Sequence, residues 1–388
     1  MKYLVTGGGG YFGSKLGLSL ASDGADVCLF DLNISFACED SDKTSKQSGA
    51  LTSMKGDVSV LDDVLQACKD VDCIMHVASF GMSGRDMLNT SQIEAVNIQG
   101  TKNIIEACRK CGVTSLVYTS TTNVVFCGEP ITNGDETLPY VPDEKHVDHY
   151  SRTKCIAEQA VLQANGYKVA GGKTLHTCAI RPAGIYGEGE QRHLPRIVNY
   201  IERGLFKFTY GSNNLVEFVH VDNLVQSHKL AALNLASTNP TAAGQPYFIS
   251  DGQPVNNFEF FRPLVEGLGY TYPRMTLPVN IIYFFAFFIE LIHGIIGRYI
   301  YNFQPFLTRA EVFKTGVTHY FKIDKAKKDL GYEPKSHDML GVVRFFRQQG
   351  HGRSFHHKKY TTSNLLRDLA LAAIVVIMLF SLLPVVTT

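Results

Sequence analysis

The sequence predicts an α/β fold: a doubly wound parallel sheet, a smaller C-terminal lobe and a C-terminal transmembrane helix. Three observations carry this. Short apolar runs of strand length alternate with helically spaced stretches through the first half. A glycine cluster separates the first such strand from the first such helix. An uncharged apolar run lies near the end of the chain. Alternating strands and helices imply parallel pairing with helices on both faces of the sheet.

Tyr3–Val5, Val27–Phe30, Cys73–His76 and Leu116–Tyr118 are the expected strands, and Tyr11–Ser22, Val60–Ala67 and Ile93–Arg109 the helical stretches between them. The second half loses this rhythm, as a lobe built around a ligand does. The expected division is residues 1–180 for the dinucleotide core and 181–348 for the lobe with interleaved core elements. A basic linker over 349–368 and an anchor over 369–386 follow. Leu369–Val386 is a run of 18 uncharged residues, ~27 Å of helix, about one hydrocarbon core. Arg353, Lys358, Lys359 and Arg367 precede it, which places the body on the cytosolic side. The apolar stretch Ile281–Ile296 is short for a span and contains Glu290 and His293. It reads equally as a buried helix or one lying in a membrane surface. The glycine cluster follows Met1 too soon for a secretory signal segment.

Composition excludes several classes. Lys+Arg 37 against Asp+Glu 36 gives a net charge of +1, so no nucleic-acid face is expected. Hydrophobic residues at 45% exclude a disordered chain. Nine cysteines, none beyond Cys178, do not form a disulfide framework and favour a reducing compartment. Cys108 and Cys111 have ligand-like spacing but no second pair, so no metal is expected. The sequons at Asn33 and Asn89 are discounted for a cytosolic domain. Glu217–Asn223 reads as a strand end and a helix start, which gives His220 and Asp222 structural roles.

Thr6-Gly7-Gly8-Gly9-Gly10-Tyr11-Phe12-Gly13 joins the first strand to the first helix, with Gly7, Gly10 and Gly13 in G-x-x-G-x-x-G spacing. Such glycines allow a tight turn and close approach of backbone N–H groups to a pyrophosphate. Asp31 ends the second strand, where a carboxylate accepts ribose hydroxyls and repels a 2′-phosphate. Leu32 and Asn33 carry no charge, so NAD is expected over NADP. Asp57 is placed to meet the adenine edge. Further on, Tyr150 and Lys154 share one helical face at i, i+4. A phenol has a pKa near ~10, and a nearby ammonium favours its ionised form.

At this point the chain resembles the extended short-chain dehydrogenases/reductases over about residues 1–340. The motifs match in order: the glycine loop, Asp31, Asp57, His76-Val77-Ala78-Ser79, Asn97-Ile98-Gln99-Gly100-Thr101, Tyr150/Lys154, Arg181–Gly187 and Asp324–Tyr332. Within that family it looks most like the 3β-hydroxysteroid dehydrogenase group and its 42E branch, through Gly81–Arg85, Gln191–Arg196 and Val255–Phe261. The resemblance implies a Rossmann core and a Ser/Thr–Tyr–Lys mechanism. Tyr150 exchanges the substrate proton, Lys154 lowers its pKa and holds the nicotinamide ribose, and Thr121, or else Ser120, orients the reacting oxygen. It further implies that Val77, Ala78, Asn97, Pro182 and Ile185 contact the cofactor.

Nucleotide-sugar enzymes of this family carry an arginine where this chain has Val216, which argues against such substrates. The expected partners are a sterol or steroid-like lipid and membrane lipid, with a homodimer left open and no nucleic acid. The expected location is the endoplasmic reticulum membrane. A nucleotide-sugar epimerase or dehydratase and a non-catalytic NAD sensor are the competing readings.

Overall fold

The computed structural model describes residues 1–34, 49–82, 84–211, 213–293 and 307–353. The expected anchor over 369–386, the linker from residue 354 and the end of the 281–296 stretch lie outside these residues.

Seven parallel strands form the core sheet. They are β1 (Lys2–Thr6), β2 (Asp26–Asp31), β3 (Leu51–Lys55), β4 (Cys73–His76), β5 (Ser115–Thr119), β6 (His176–Pro182) and β7 (Gln245–Ile249). Their order is β7-β6-β5-β4-β1-β2-β3. Two crossovers run outward in opposite directions from β1, so a crevice opens between β1 and β4 at the carboxyl ends, where ligands of such sheets bind. All residues of β4 and β5 are buried, because helices cover both faces and continuous apolar runs replace alternation.

On one face lie α1 (Tyr11–Ser22) and, from the second half of the chain, a helix over Val221–Leu235. Leu16, Leu20, Leu224 and Leu235 join Val5, Leu29 and Ile180 there in one cluster. On the other face lie α2 (Leu61–Ala67), α3 (Thr90–Glu94), α4 (Thr101–Cys111) and α5 (His149–Gln163), packed through Val64, Ile104, Ala157 and Val161. The expected single helical stretch Ile93–Arg109 is instead α3 and α4 joined by a wider π turn, Ala95–Gly100. Asn97 explains it. Its side chain brackets the Phe80 backbone, accepting from the N–H at 2.9 Å and donating to the carbonyl at 3.0 Å, and donates to Thr153 Oγ1 at 2.9 Å. An inserted residue in a helix is a recurrent device near functional sites.

With the Val221–Leu235 helix of the core numbered α7, the smaller lobe contains α6 (His193–Glu202), α8 (Asn257–Phe260), α9 (Arg262–Gly267), α10 (Val279–Ile292) and α11 (Arg309–Gly316). α10 packs on the lobe through Ile282 and Ala286, against Tyr210, Phe258 and Val312. Its opposite side leaves Ile281, Phe284, Phe287 and Leu291 exposed. Glu290 is neutralised by Arg309, whose Nε donates to it at 2.6 Å. No helix among the described residues is long and apolar enough to cross a membrane.

Candidate active site

The turn after β1 needs its glycines for space. Gly7 has φ +71°, and a Cβ there would stand 2.8 Å from Ala78 N, at the end of β4. A Cβ on Gly13 would stand 2.1 Å from Gly7 O. Gly9, which the G-x-x-G-x-x-G spacing passes over, is equally constrained: its Cβ would stand 1.9 Å from Asn33 O. Gly10, which the spacing singles out, is freer, with a nearest contact of 3.2 Å. α1 then begins with no side-chain cap and no acid in its first turn, leaving its N–H groups for an anion. Asp31 ties the turn together, accepting from Gly9 N at 3.1 Å and Asn33 N at 3.0 Å.

These residues line one end of a cavity of about 930 Å³. Gly7, Gly10, Tyr11, Phe12, Gly13, Asp31, Asp57, Val77, Ala78, Pro182 and Ile185 all stand on its wall. The glycine cradle, the uncapped helix start and the strand-end carboxylate fit a dinucleotide whose pyrophosphate meets α1 and whose ribose meets Asp31. Asn97 and Lys154 are not on the wall. Asn97 acts one layer back, fixing the Phe80 backbone and Thr153.

Asp148 caps α5, accepting from Ser151 N at 2.7 Å, and the first turn of the helix presents Tyr150 to the cavity. Burial pushes the phenol up to about 12, while Arg192 and a hydrogen bond with Ser79 act to lower it. The Lys154 ammonium is pulled down to about 7 by burial, opposed by Glu158. It donates to Thr119 O at 2.5 Å and lies 4.1 Å from the Tyr118 ring centroid. Lys154 Nζ is thus held by the carbonyl at the end of β5.

Ser120 and Thr121 both reach the cavity wall, but their hydroxyls differ. Ser120 Oγ donates to the Glu158 carboxylate. Thr121 Oγ1 accepts from Asn123 N at 3.2 Å, which leaves its own proton free for a reacting oxygen. Behind them Glu158 is fully buried, receiving Arg181 Nη2 at 2.6 Å and the Tyr140 hydroxyl at 2.8 Å. Sequence reasoning named Ser79 and Arg181 only as motif members and missed Glu158. The signal was available for Glu158, which continues the Tyr150–Lys154 spacing by another four residues along the same face.

The far end of the cavity is apolar. Phe206, Phe208, Tyr210, Phe258, Phe261 and Leu307 line it, with Val216 among them. α11 closes this chamber, pairing Glu311 with Arg196 of α6 and Lys314 with Asp148 of α5. His220, Asp222 and His337 place ligand atoms within 4.8 Å of one another, the one such group among the described residues. His220 Nδ1 already accepts from the Asp222 amide at 3.3 Å, and the two imidazoles stack at 3.7 Å. That is a helix cap, as the sequence suggested. Cys108 is buried, and Cys111 Sγ faces Leu65 O.

The sequence model of the 3-beta hydroxysteroid dehydrogenase/isomerase family matches residues 4–279. The chain is 58% identical over 356 residues to the short-chain dehydrogenase/reductase family 42E member 1 of Macaca fascicularis, covering 90% of this chain and 88% of that one. It is 34% identical over 334 residues to the decarboxylating sterol-4-alpha-carboxylate 3-dehydrogenase of Mus musculus, covering 86% of each. Among solved structures, a dTDP-glucose 4,6-dehydratase of Streptomyces venezuelae superposes with a TM-score of 0.64 at 22% identity, over 90% of this chain and 97% of that one. That likeness carries the fold alone.

Proposed function

The chain belongs to the 3-beta hydroxysteroid dehydrogenase/isomerase family, and from that premise we propose that it interconverts a secondary alcohol and a ketone on a sterol or steroid-like lipid, with NAD as cofactor. One observation carries the reading: a single cavity joins a dinucleotide cradle, the Tyr150 phenol and an aromatic chamber. NAD supplies the hydride acceptor. Tyr150 moves the hydroxyl proton, Thr121 orients the reacting oxygen, and Glu158 holds Ser120 and Arg181 behind them. The chamber wall at Val216 offers no charge to a sugar-nucleotide diphosphate, which supports a lipid over that alternative. In detergent micelles with NAD, the full chain is expected to remove two hydrogens from a 3β-hydroxysterol with stoichiometric NADH, read by mass spectrometry. Turnover of a UDP-sugar with every sterol left intact would sink the proposal.

We place the body at a membrane on the cytosolic side, held by residues 369–386, with the endoplasmic reticulum as the expected location. The exposed stripe Ile281, Phe284, Phe287 and Leu291 supports contact between α10 and lipid, with Glu290 turned to Arg309. A spacing of one helical turn would pair Phe284 with Phe288 as the outward rings. Phe288 is half-buried and packs edgewise on Phe284 at 4.6 Å, so Phe287 replaces it. Burying one such ring is worth roughly 1.5–3 kcal/mol. Phe284→Glu with Phe287→Glu should therefore raise KM at least ~10-fold for a sterol held in vesicles. KM for the same sterol delivered from cyclodextrin should stay put. An equal rise in both would return α10 to a purely internal role.

A further inference from the structure

α11 is wedged between three parts of the molecule. Toward α10 it packs Val312 in one cluster with Ile282 and Ala286, and Phe313 meets Tyr283 with ring centroids 5.0 Å apart. Toward the cavity it presents Glu311, Lys314 and Thr315. Thr315 Oγ1 shares a hydrogen bond of 2.6 Å with the Tyr210 hydroxyl of the aromatic wall. Toward α5 it reaches out with Lys314, whose Nζ donates to Asp148 Oδ2. Asp148 Oδ1 is the atom that caps α5 through Ser151 N. One carboxylate thus ties the chamber helix to the first turn of the helix that carries Tyr150. The side chains of the pair are only 18% and 8% exposed, so solvent screens it little. Among the described residues it is the one ion pair between α5 and the lobe. Lys314 Nζ also lies 5.9 Å from the centroid of the Tyr150 ring.

We propose that Lys314 is a positioning residue for the reaction, carrying the fit of the lipid in the chamber to the placement of the Tyr150 phenol. This rests on the lipid-alcohol reading above. A substrate that fills the chamber bears on the α11 wall and holds that helix in place. Lys314 passes the constraint to Asp148, and Asp148 to the turn that presents the phenol. Binding energy from remote parts of a substrate raises kcat where it orients the reacting groups. A displacement of about 1 Å at those groups costs on the order of 10²-fold. The other ion pairs of α11 stay within the lobe, Glu311 with Arg196 of α6 and Arg309 with Glu290 of α10.

The test uses the full chain in detergent micelles with NAD and two alcohols: cholesterol, with fused rings for the chamber, and cyclohexanol, a single ring that leaves it empty. Asp148→Asn combined with Lys314→Met removes the tie while stranding no charge, and Asn caps a helix as well as Asp does. In wild type kcat for cholesterol should exceed that for cyclohexanol, and the double variant should cut that ratio by roughly 10–100-fold. Lys314→Arg, which keeps the ion pair, should retain most of it. A brace with a purely structural role would lower both kcat values alike, so an unchanged ratio overturns the proposal. Amide hydrogen exchange at Ser151–Lys154 reads the same coupling without turnover, with NADH in place of NAD so that no hydride moves. Cholesterol should slow that exchange in wild type and leave it unaltered in the double variant. Cholesterol that fails to slow it in wild type, or slows it equally in both chains, overturns the proposal. If exchange responds as expected but neither alcohol is oxidised, the tie stands and the alcohol–ketone reading falls.

Discussion

Tyr150→Phe is expected to lower kcat by roughly 10²–10⁴-fold while NAD still binds. The substitution keeps the buried ring and removes the one hydroxyl placed to exchange a proton with the substrate. In the oxidation direction that hydroxyl must act as a base. Its pKa is pushed up to about 12, so the phenolate is scarce at neutral pH and its fraction grows with each unit of alkalinity. The wild-type kcat/KM for alcohol oxidation should accordingly climb through the neutral range. Ketone reduction, which needs the protonated phenol, should not. The pH dependence of the oxidation step should vanish in the variant. Pre-steady-state NADH formation checks both statements, and a Tyr150→Phe enzyme with near-normal turnover removes the mechanism.

Glu158→Gln is expected to cost about 3–5 kcal/mol of stability, because it strands the Arg181 guanidinium in the core. The side chains of the pair are 2% and 0% exposed. Arg181 Nη1 has no hydrogen-bond partner even in the intact pair, so the carboxylate is its one strong compensation. A charge left buried without a counter-charge suffers more than an ion pair gains. The melting temperature should fall on the order of 10 °C, with activity lost as well, since Ser120 loses its acceptor. A variant melting within about 2 °C of wild type would mean that water reaches Arg181 and that the pair is dispensable.

What could be read from the sequence was whatever depends on neighbours along the chain. The glycine turn, Asp31 and the Tyr150–Lys154 face are local patterns, and β4 and α1 have the predicted bounds. The π turn at Ala95–Gly100 was hidden because its cause, Asn97 meeting Phe80, is a contact between separate elements. The partner of the Lys154 ammonium was hidden for the same reason: its acceptor, Thr119 O, belongs to a strand 35 residues earlier in the chain. On α10 nearly every side chain is apolar, so no periodicity distinguishes the faces. Only packing of Ile282 and Ala286 against the lobe reveals which rings point outward.

The strand order sets a schedule for synthesis. β6 pairs with β5 on one side and β7 on the other, yet β7 leaves the ribosome only after roughly 60 more residues, several seconds at ~5–20 residues per second. Until then the flank of β6 that β7 will occupy is an open, apolar edge able to recruit a foreign strand. The nascent chain therefore passes through a window in which a chaperone's cover matters most. Lesions in β7 should surface as poor yield of protein before they register as poor catalysis.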